Sequence, residues 1–290
     1  MNLTVVQLRA FAAVIDGGGF GEAAECLAMT QPAVSHAIAT LEKAIGAPVL
    51  QRKPQLQPTP LGEKILPHAR AALASVEAVQ ATVREHLGLT AGLVRLAAAP
   101  TVCQGLMPEL LMRWRSTHPR VEVQIFEGDD DELALWLEGG MVDAAILIDP
   151  DPMPDRGVIV GRDTFQAVVR RDHPLANEVA VTLHDLLDDP FIISTGGCEA
   201  QISRIFAQAH ESMVLGQRVR EVGTLLSMIV GHVGISIMPS LGEAMLPRDL
   251  VMVPLVPVTD RTLVFTGPMS RPWNPLVGAL RDACGETVLA

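Results

Sequence analysis

Met29-Thr30-Gln31-Pro32-Ala33-Val34-Ser35-His36-Ala37-Ile38 is the stretch on which the reading of the fold turns. Thr30 is a good helix N-cap, because its hydroxyl accepts from a backbone N–H that the helix leaves orphaned. Pro32 suits the first turn, where its missing N–H costs nothing. Val34, Ile38, Leu41 and Ile45 recur at helical spacing and predict a buried stripe. That leaves Gln31, Ser35, His36 and Thr40 on the outward face. Short polar side chains of this kind reach base edges and exchange hydrogen bonds with them.

Upstream, Leu8, Phe11, Val14 and Ile15 repeat at helical spacing, and Gly17-Gly18-Gly19 ends that helix. A second short helix carries Ala23, Ala24 and Leu27. A short helix, a tight turn and then the helix from Thr30 make up a helix-turn-helix, the arrangement that lays its last helix in the major groove. Downstream of Gly46, residues 49–54 and 55–59 read as two short strands around a turn. Arg52 and Lys53 in that turn suit phosphates or the minor groove.

From Pro60 to Leu87 only Gly62 and Pro67 interrupt a helical pattern. Leu66, Ala69, Leu73, Val76, Gln80, Val83 and Leu87 follow alternating spacings of three and four, a coiled-coil seam with one polar position. A lone helix of this kind is marginal in water. The expectation is a dimerisation helix stopped by Gly88; packing onto the chain's own C-terminal part is the alternative.

Residues 93–290 alternate apolar strands with helical patterns, which predicts an α/β domain with a largely parallel sheet. Strands are expected at 94–98, 121–126, 144–148, 165–170, 191–194, 218–222, 235–238 and 262–266. Helices are expected at 105–117, 130–137, 199–210, 224–231 and 273–288. A weak internal repeat shows: strand 94–98, turn 99–104, helix, strand ending at Glu127-Gly128-Asp129, helix. Its counterpart is strand 191–194, turn 195–198, helix, strand ending at Val222-Gly223-Thr224, helix. Ligands of open α/β sheets bind beyond the carboxyl ends of the strands, where helix N-termini point. The candidate effector residues are therefore Thr101, Val102, Cys103 and Asp129 from the first half, and Thr195, Cys198 and Thr224 from the second. Ile237 adds an apolar wall. Hydroxyls and backbone N–H groups there suit a polar or anionic group, although each residue alone could be an ordinary cap.

The net charge of −11 excludes a broadly basic nucleic-acid binder. Residues 1–60 hold four bases and four acids, whereas 127–155 hold ten acids and no base. Any DNA binding must come from a few placed groups. No apolar run is long enough to span a bilayer, and no secretory signal is seen. The four cysteines form no C-x-x-C pair, so a reducing cytoplasm is expected. Asp129-Asp130-Asp131-Glu132 could serve a cation, but the helix dipole accounts for acids at a helix start. His173 and His232 have no second ligand at metal spacing, so neither metal nor cofactor is expected. No G-x-S-x-G, G-x-G-x-x-G or P-loop occurs. A cysteine enzyme built on Cys198 would need a placed base and an orienting group, so no catalytic activity is expected. A stand-alone solute-binding protein is opposed by the helix-turn-helix.

Thr30-Gln31-Pro32-Ala33-Val34-Ser35-His36, then Leu41-Glu42, Gly46-Ala47-Pro48, Leu50-x-Arg52 and Thr59-Pro60-x-Gly62, resemble the DNA-binding domain of LysR-type transcriptional regulators. The C-terminal half resembles them more weakly, best at Pro100-Thr101-Val102 and Gly234–Pro239. The resemblance implies an N-terminal winged helix-turn-helix, a long linker helix and a two-lobed α/β effector domain of the periplasmic-binding-protein-like (type II) kind. The expected domains are 1–58, 59–88 and 89–290, with lobe I at about 89–162 plus 267–290 and lobe II at about 163–266. It also implies double-stranded operator DNA as partner, a small-molecule effector in the cleft, and a dimer assembling into a tetramer. Gln31, Pro32, Ser35 and His36 would then meet the groove, and Arg52 and Lys53 the backbone. Ala39 replaces a common basic residue, the wing is short and lacks its second Arg, and position 50 is Leu instead of Phe. The first two weaken phosphate contacts. Cys198 also resembles by position the reactive cysteine of peroxide-sensing members, and a helix N-terminus lowers a thiol pKa. A thiol or electrophile sensor, with a Cys103–Cys198 bond across the cleft, is the alternative to two small pocket-lining residues. Cys26 and Cys284 read as core.

Overall fold

The computed structural model describes residues 2–51, 55–87 and 91–285, except the side chain of Glu85. Two compact units result. One holds the N-terminal segment through the long helix, together with 136–143 and 268–275. The other holds most of the C-terminal α/β domain.

The first unit begins with α1 (Val5–Asp16), α2 (Phe20–Cys26) and α3 (Gln31–Ile45). A capping box starts α1: Thr4 Oγ1 accepts from Gln7 N at 3.3 Å, and Gln7 Oε1 accepts from Thr4 N at 2.9 Å. Phe11, Val14, Val34, Ile38 and Leu41 are fully buried where the three helices meet. Each such side chain contributes roughly 1.5–3 kcal/mol. The wing pairs β1 (Leu50–Gln51) antiparallel with β2 (Gln57–Pro58). Glu42 ties it to α3 by accepting from Val49 N and Leu50 N at 3.0 and 3.3 Å. Arg52 and Lys53 lie outside the described residues.

The long helix α4 (Pro60–His86) runs 27 residues and includes Gly62 and Pro67. A Cβ on Gly62 would lie 2.1 Å from the Val49 carbonyl oxygen, so only glycine lets α4 start against the wing. Leu66 and Ala69 complete the helix-turn-helix core, and Leu73 packs on it. An Arg70–Asp16 ion pair fastens α4 to α1. The expected seam is therefore divided. Its first three members serve the chain's own core. Further along, Ala74, Ala78 and Ala81 are buried instead. Val76 is half-buried, while Gln80, Val83 and Leu87 are exposed beside Val79. Gly88 lies outside the described residues.

The C-terminal domain follows with β3 (Gly92–Ala98), α5 (Pro100–Gly105), α6 (Met107–Thr117), β4 (Val121–Glu127), α7 (Asp130–Glu138), β5 (Ala144–Ile148) and β6 (Val158–Arg170). Then come β7 (Val181–Thr182), β8 (Phe191–Ser194), α8 (Glu199–Gln208), β9 (Leu215–Val219), α9 (Val222–Val230), β10 (Ser236–Pro239), β11 (Leu250–Val256), β12 (Asp260–Thr266) and α10 (Pro275–Asp282). The main sheet has the order β4-β3-β5-β12-β6-β11-β7, with β10 also on β6. β3 lies parallel to β4 and β5, but β12, β10 and β11 are antiparallel to their neighbours on β5 and β6. The sheet is thus mixed, not largely parallel. The two halves of the expected repeat keep parallel pairs, β3 with β4 and β8 with β9.

β6 links two lobes. Residues 158–164 pair with β12, and 165–170 pair with β10 and β11. The chain returns between β11 and β12. β6 starts at Val158, seven residues before the expected Phe165, because pairing with β12 carries the strand through Gly161-Arg162-Asp163, which breaks the apolar run. β11 forms although Pro254 argues locally against a strand there. Residues 99–104 are not a turn but helix α5, and β9 ends at Val219, before the expected 222. One lobe centres on Phe165, Phe191, Ile202 and Phe206, with the Phe191 and Phe206 rings edge-to-face at 5.4 Å.

Candidate DNA-reading helix and effector cleft

Thr30 caps α3, its Oγ1 accepting from Ala33 N at 3.3 Å. Gln31, Pro32 and His36 are exposed, and Ser35 is half-exposed. Directly beneath, Val34 and Ile38 have no exposure. The first turns of α3 thus present polar groups on a rigid apolar base. Thr40 departs from the expectation: its hydroxyl donates to Ala37 O at 2.9 Å and accepts from Gln7 Nε2 at 3.1 Å. Both functions are engaged inside the domain, so Thr40 holds α3 to α1 and does not present a free donor. Gln7, which carries both the α1 cap and this link, is invisible to a reading by periodicity.

In the second unit an enclosed pocket lies where the lobes meet. Its lining includes Thr101, Asp130, Gly197, Cys198, Ile237 and Arg261. Thr101 is the second residue of α5, Cys198 is the N-cap of α8, and Ile237 lies on β10. Two wider openings adjoin it. Asp129 lines both of these, and Thr195 lines one. Of the eight expected residues, these five are brought to the cleft.

The other three are not. Val102 is fully buried in the core. Cys103 lies inside α5 with its Sγ 3.6 Å from Ala98 O. Thr224 is exposed in the first turn of α9, and Val222 and Leu225 line the pocket instead. Helical spacing explains this: one face of α9 meets the pocket, and Thr224 is off it. Asp129 acts as a helix cap, its Oδ1 accepting from Glu132 N at 3.0 Å while Glu132 Oε2 accepts from Asp129 N at 3.1 Å. Among the described residues, no group of His, Cys, Asp and Glu could hold a metal ion.

The polar group at the pocket wall is not among the residues expected from the sequence. Arg261 and Asp163, each with a side chain 1% exposed, form a buried pair. Arg261 Nε and Nη2 donate to the two Asp163 oxygens, both at 2.8 Å. Nη2 also reaches Thr101 Oγ1 at 3.3 Å, and the guanidinium carbon lies 5.8 Å from the centre of the Phe165 ring. Leu241 N adds a donor to Asp163 at 3.3 Å. Arg261 Nη1 has no hydrogen-bond partner among the described residues. An unpaired buried group of this kind costs about 1–3 kcal/mol or more. A charged residue inside an apolar strand was the available signal.

Contacts across the lobes close the cleft. Gln201 Nε2 donates to Asp130 Oδ2 at 2.8 Å. Arg220 Nη2 reaches both Glu132 oxygens at 3.3 Å and Asp129 Oδ2 at 3.9 Å. Gly197, at φ +124°, lets the chain turn into α8 with its α-carbon facing the Asp130 carboxylate. Burial raises the Asp130 pKa, and Asp129 and Asp131 add to that; Gln201 and Arg261 oppose it.

The thiols do not behave as their helix positions suggested. Burial pushes Cys198 up to about 11, with Arg261 opposing, and Cys103 up to about 12. Both are therefore thiols at neutral pH, and desolvation outweighs any helix-end effect. Cys284 is buried as expected, but Cys26 is exposed. No described helix is long and apolar enough to cross a membrane.

Comparison with known proteins agrees with this architecture. Residues 5–63 match the family description "Bacterial regulatory helix-turn-helix protein, lysR family", and residues 87–288 match "LysR substrate binding domain". The HTH-type transcriptional regulator YvbU of Bacillus subtilis is 32% identical over 92% of each chain. A probable hydrogen peroxide-inducible genes activator of Streptomyces viridosporus is 29% identical over 81% of this chain and 77% of its own. Among solved structures, full-length OxyR from Pseudomonas aeruginosa shares the fold with a TM-score of 0.72 at 22% identity, over 98% of each chain. Full-length CbnR in complex with its target DNA gives 0.71 at 19% identity, over 97% of this chain and 99% of its own. With its helix-turn-helix and its two-lobed effector domain both matched, the chain belongs to the LysR family of transcriptional regulators.

Proposed function

We propose that this regulator reads operator DNA through Gln31, Pro32, Ser35 and His36, and that a small molecule in the lobe cleft modulates the binding. The observation that carries the first half is the exposed polar start of α3 above fully buried Val34 and Ile38. Arg52 and Lys53 would supply phosphate contacts from the wing, and Thr40 supports the helix from behind. Thr101, Cys198, Ile237, Asp129 and Thr195 form the effector side, now joined by Asp130, Gln201 and Arg261. The domains are 1–58, 59–88 and 89–290. We assign the chain no catalytic step and place it in the cytoplasm, working as a dimer or tetramer.

An effector acts by stabilising one lobe arrangement over another, and its effect is limited by that difference in affinity. The Gln201–Asp130 and Arg220–Glu132 bonds join the two lobes, so a ligand that strengthens or displaces them has a lobe equilibrium to bias. The test is an electrophoretic shift with the duplex upstream of the chain's own coding region. A specific complex whose affinity falls steeply with salt is expected, because phosphate contacts release counterions. No complex at low salt, or an equal complex with unrelated DNA, would overturn the reading.

A further inference from the structure

The cleft contains one buried donor and one buried acceptor that no described group satisfies: Arg261 Nη1 and Gln201 Oε1. Asp130 accepts from Gln201 Nε2 and feels the charge of Arg261, and it lines both the enclosed pocket and the opening beside it. The surrounding walls are apolar, from Ile202, Val222, Leu225 and Ile237. Around the whole cleft, the described lining residues supply seven carboxylates against three guanidinium groups.

These features set conditions on a ligand. Nη1 calls for an acceptor, because a guanidinium offers only donors. Gln201 Oε1 calls for a donor. The excess of carboxylates opposes a net anion and favours a positive group. The apolar walls call for a hydrocarbon part. Asp163 already neutralises Arg261, so a ligand of zero net charge keeps the balance.

We propose that the effector is a zwitterionic α-amino acid with an aliphatic side chain. Its carboxylate accepts from Arg261 Nη1. Its ammonium donates to Gln201 Oε1 and the Asp130 carboxylate. Its side chain lies against Leu225 and Ile237. A plain carboxylate leaves Gln201 Oε1 unanswered, and a plain amine leaves Arg261 unanswered. The proposal rests on the cleft being the effector site.

Isothermal titration of the full-length chain with L-leucine and L-valine, 4-methylpentanoate and 3-methylbutylamine tests it. The expected result is saturable binding of at least one amino acid, with both single-charge analogues at least tenfold weaker. Arg261 variants could disturb the fold through Asp163, so Gln201→Met supplies a second readout. It should weaken the amino acid at least fivefold while leaving any residual binding of 4-methylpentanoate unchanged. An analogue that binds as tightly as the amino acids overturns the proposal, as does failure of all four probes to bind. Val222→Trp, which fills the pocket mouth, separates the two levels of the argument. If an analogue binds and this variant blocks it, the amino-acid assignment falls while the cleft stands. If leucine or valine binds equally to wild type and variant, the cleft reading falls too.

Discussion

Arg261 and Asp163 meet across 98 positions of sequence, deep between the lobes. Removing one partner leaves an uncompensated buried charge, which costs about 3–5 kcal/mol. Asp163→Ala should show this loss in urea unfolding; a change below about 1 kcal/mol would mean the pair is not buried as described. Asp130 behaves in the opposite sense from a salt-bridged acid. Burial, with help from Asp129 and Asp131, lifts its pKa against the pull of Gln201 and Arg261. A carboxyl whose pKa is raised by folding favours the folded state below its unfolded value, and that contribution is lost as pH rises through the folded value. Asp130→Asn should therefore raise the Tm at pH 7 relative to wild type, with the gain shrinking toward about pH 4. A gain that grows on acidification would reverse the assignment. The thiols give a third residue-scale expectation. Exposed Cys26 should react with a disulfide reagent well before Cys198, whose thiol is raised to about 11. Fast reaction at Cys198 would revive the sensor alternative. At this scale turn and helix-start signals pointed to Thr101, Asp129, Thr195 and Cys198, and an apolar strand pointed to Ile237. Arg261 stood out only as a charge in an apolar strand; its pairing with Asp163 and the bond from Gln201 to Asp130 exist only once distant elements meet.

At the scale of elements, the helix-turn-helix was legible because each of its parts is coded locally. The Thr30 cap, the Val34–Ile38–Leu41 stripe and the glycine break after α1 all follow from short-range chemistry. Thr30→Ala should cost about 1 kcal/mol through the lost cap bond. The Thr59-Pro60-x-Gly62 stretch was recognised as a pattern, and its cause is the 2.1 Å approach of a Gly62 Cβ to the Val49 carbonyl. Gly62→Ala should destabilise the N-terminal domain by about 1–3 kcal/mol, seen as a lower urea midpoint. An unchanged midpoint would show that the wing and α4 can separate freely. The effector domain was legible in its parallel pairs, which obey the strand–helix–strand rhythm. Its antiparallel strands were not. β11 hides behind Pro254, and the first half of β6 behind Gly161-Arg162-Asp163, because pairing with strands distant in sequence overrides local preference.

For the whole molecule, the long helix has two uses. Its first turns complete the helix-turn-helix core, while Val79, Val83 and Leu87 remain exposed on its far half. The heptad-like spacing foresaw the helix but assigned one seam to a residue set that the fold divides. A second copy pairing on the exposed part would bury these side chains and set the separation of two recognition helices. Val83→Glu should then move the sedimentation profile toward monomer without lowering the Tm of the isolated fold. An unchanged profile would place the dimer elsewhere.

The account depends most on the outward start of α3. Fluorescence anisotropy of the Gln31→Ala/His36→Ala double variant, on the upstream duplex and on a scrambled one, addresses it directly. Both side chains are exposed, so stability should change by less than about 0.5 kcal/mol per site. Preference for the upstream duplex should fall at least tenfold toward the scrambled level, since a good base contact discriminates by about 1–3 kcal/mol. A folded variant that keeps the wild-type preference would contradict the claim that this helix reads the operator.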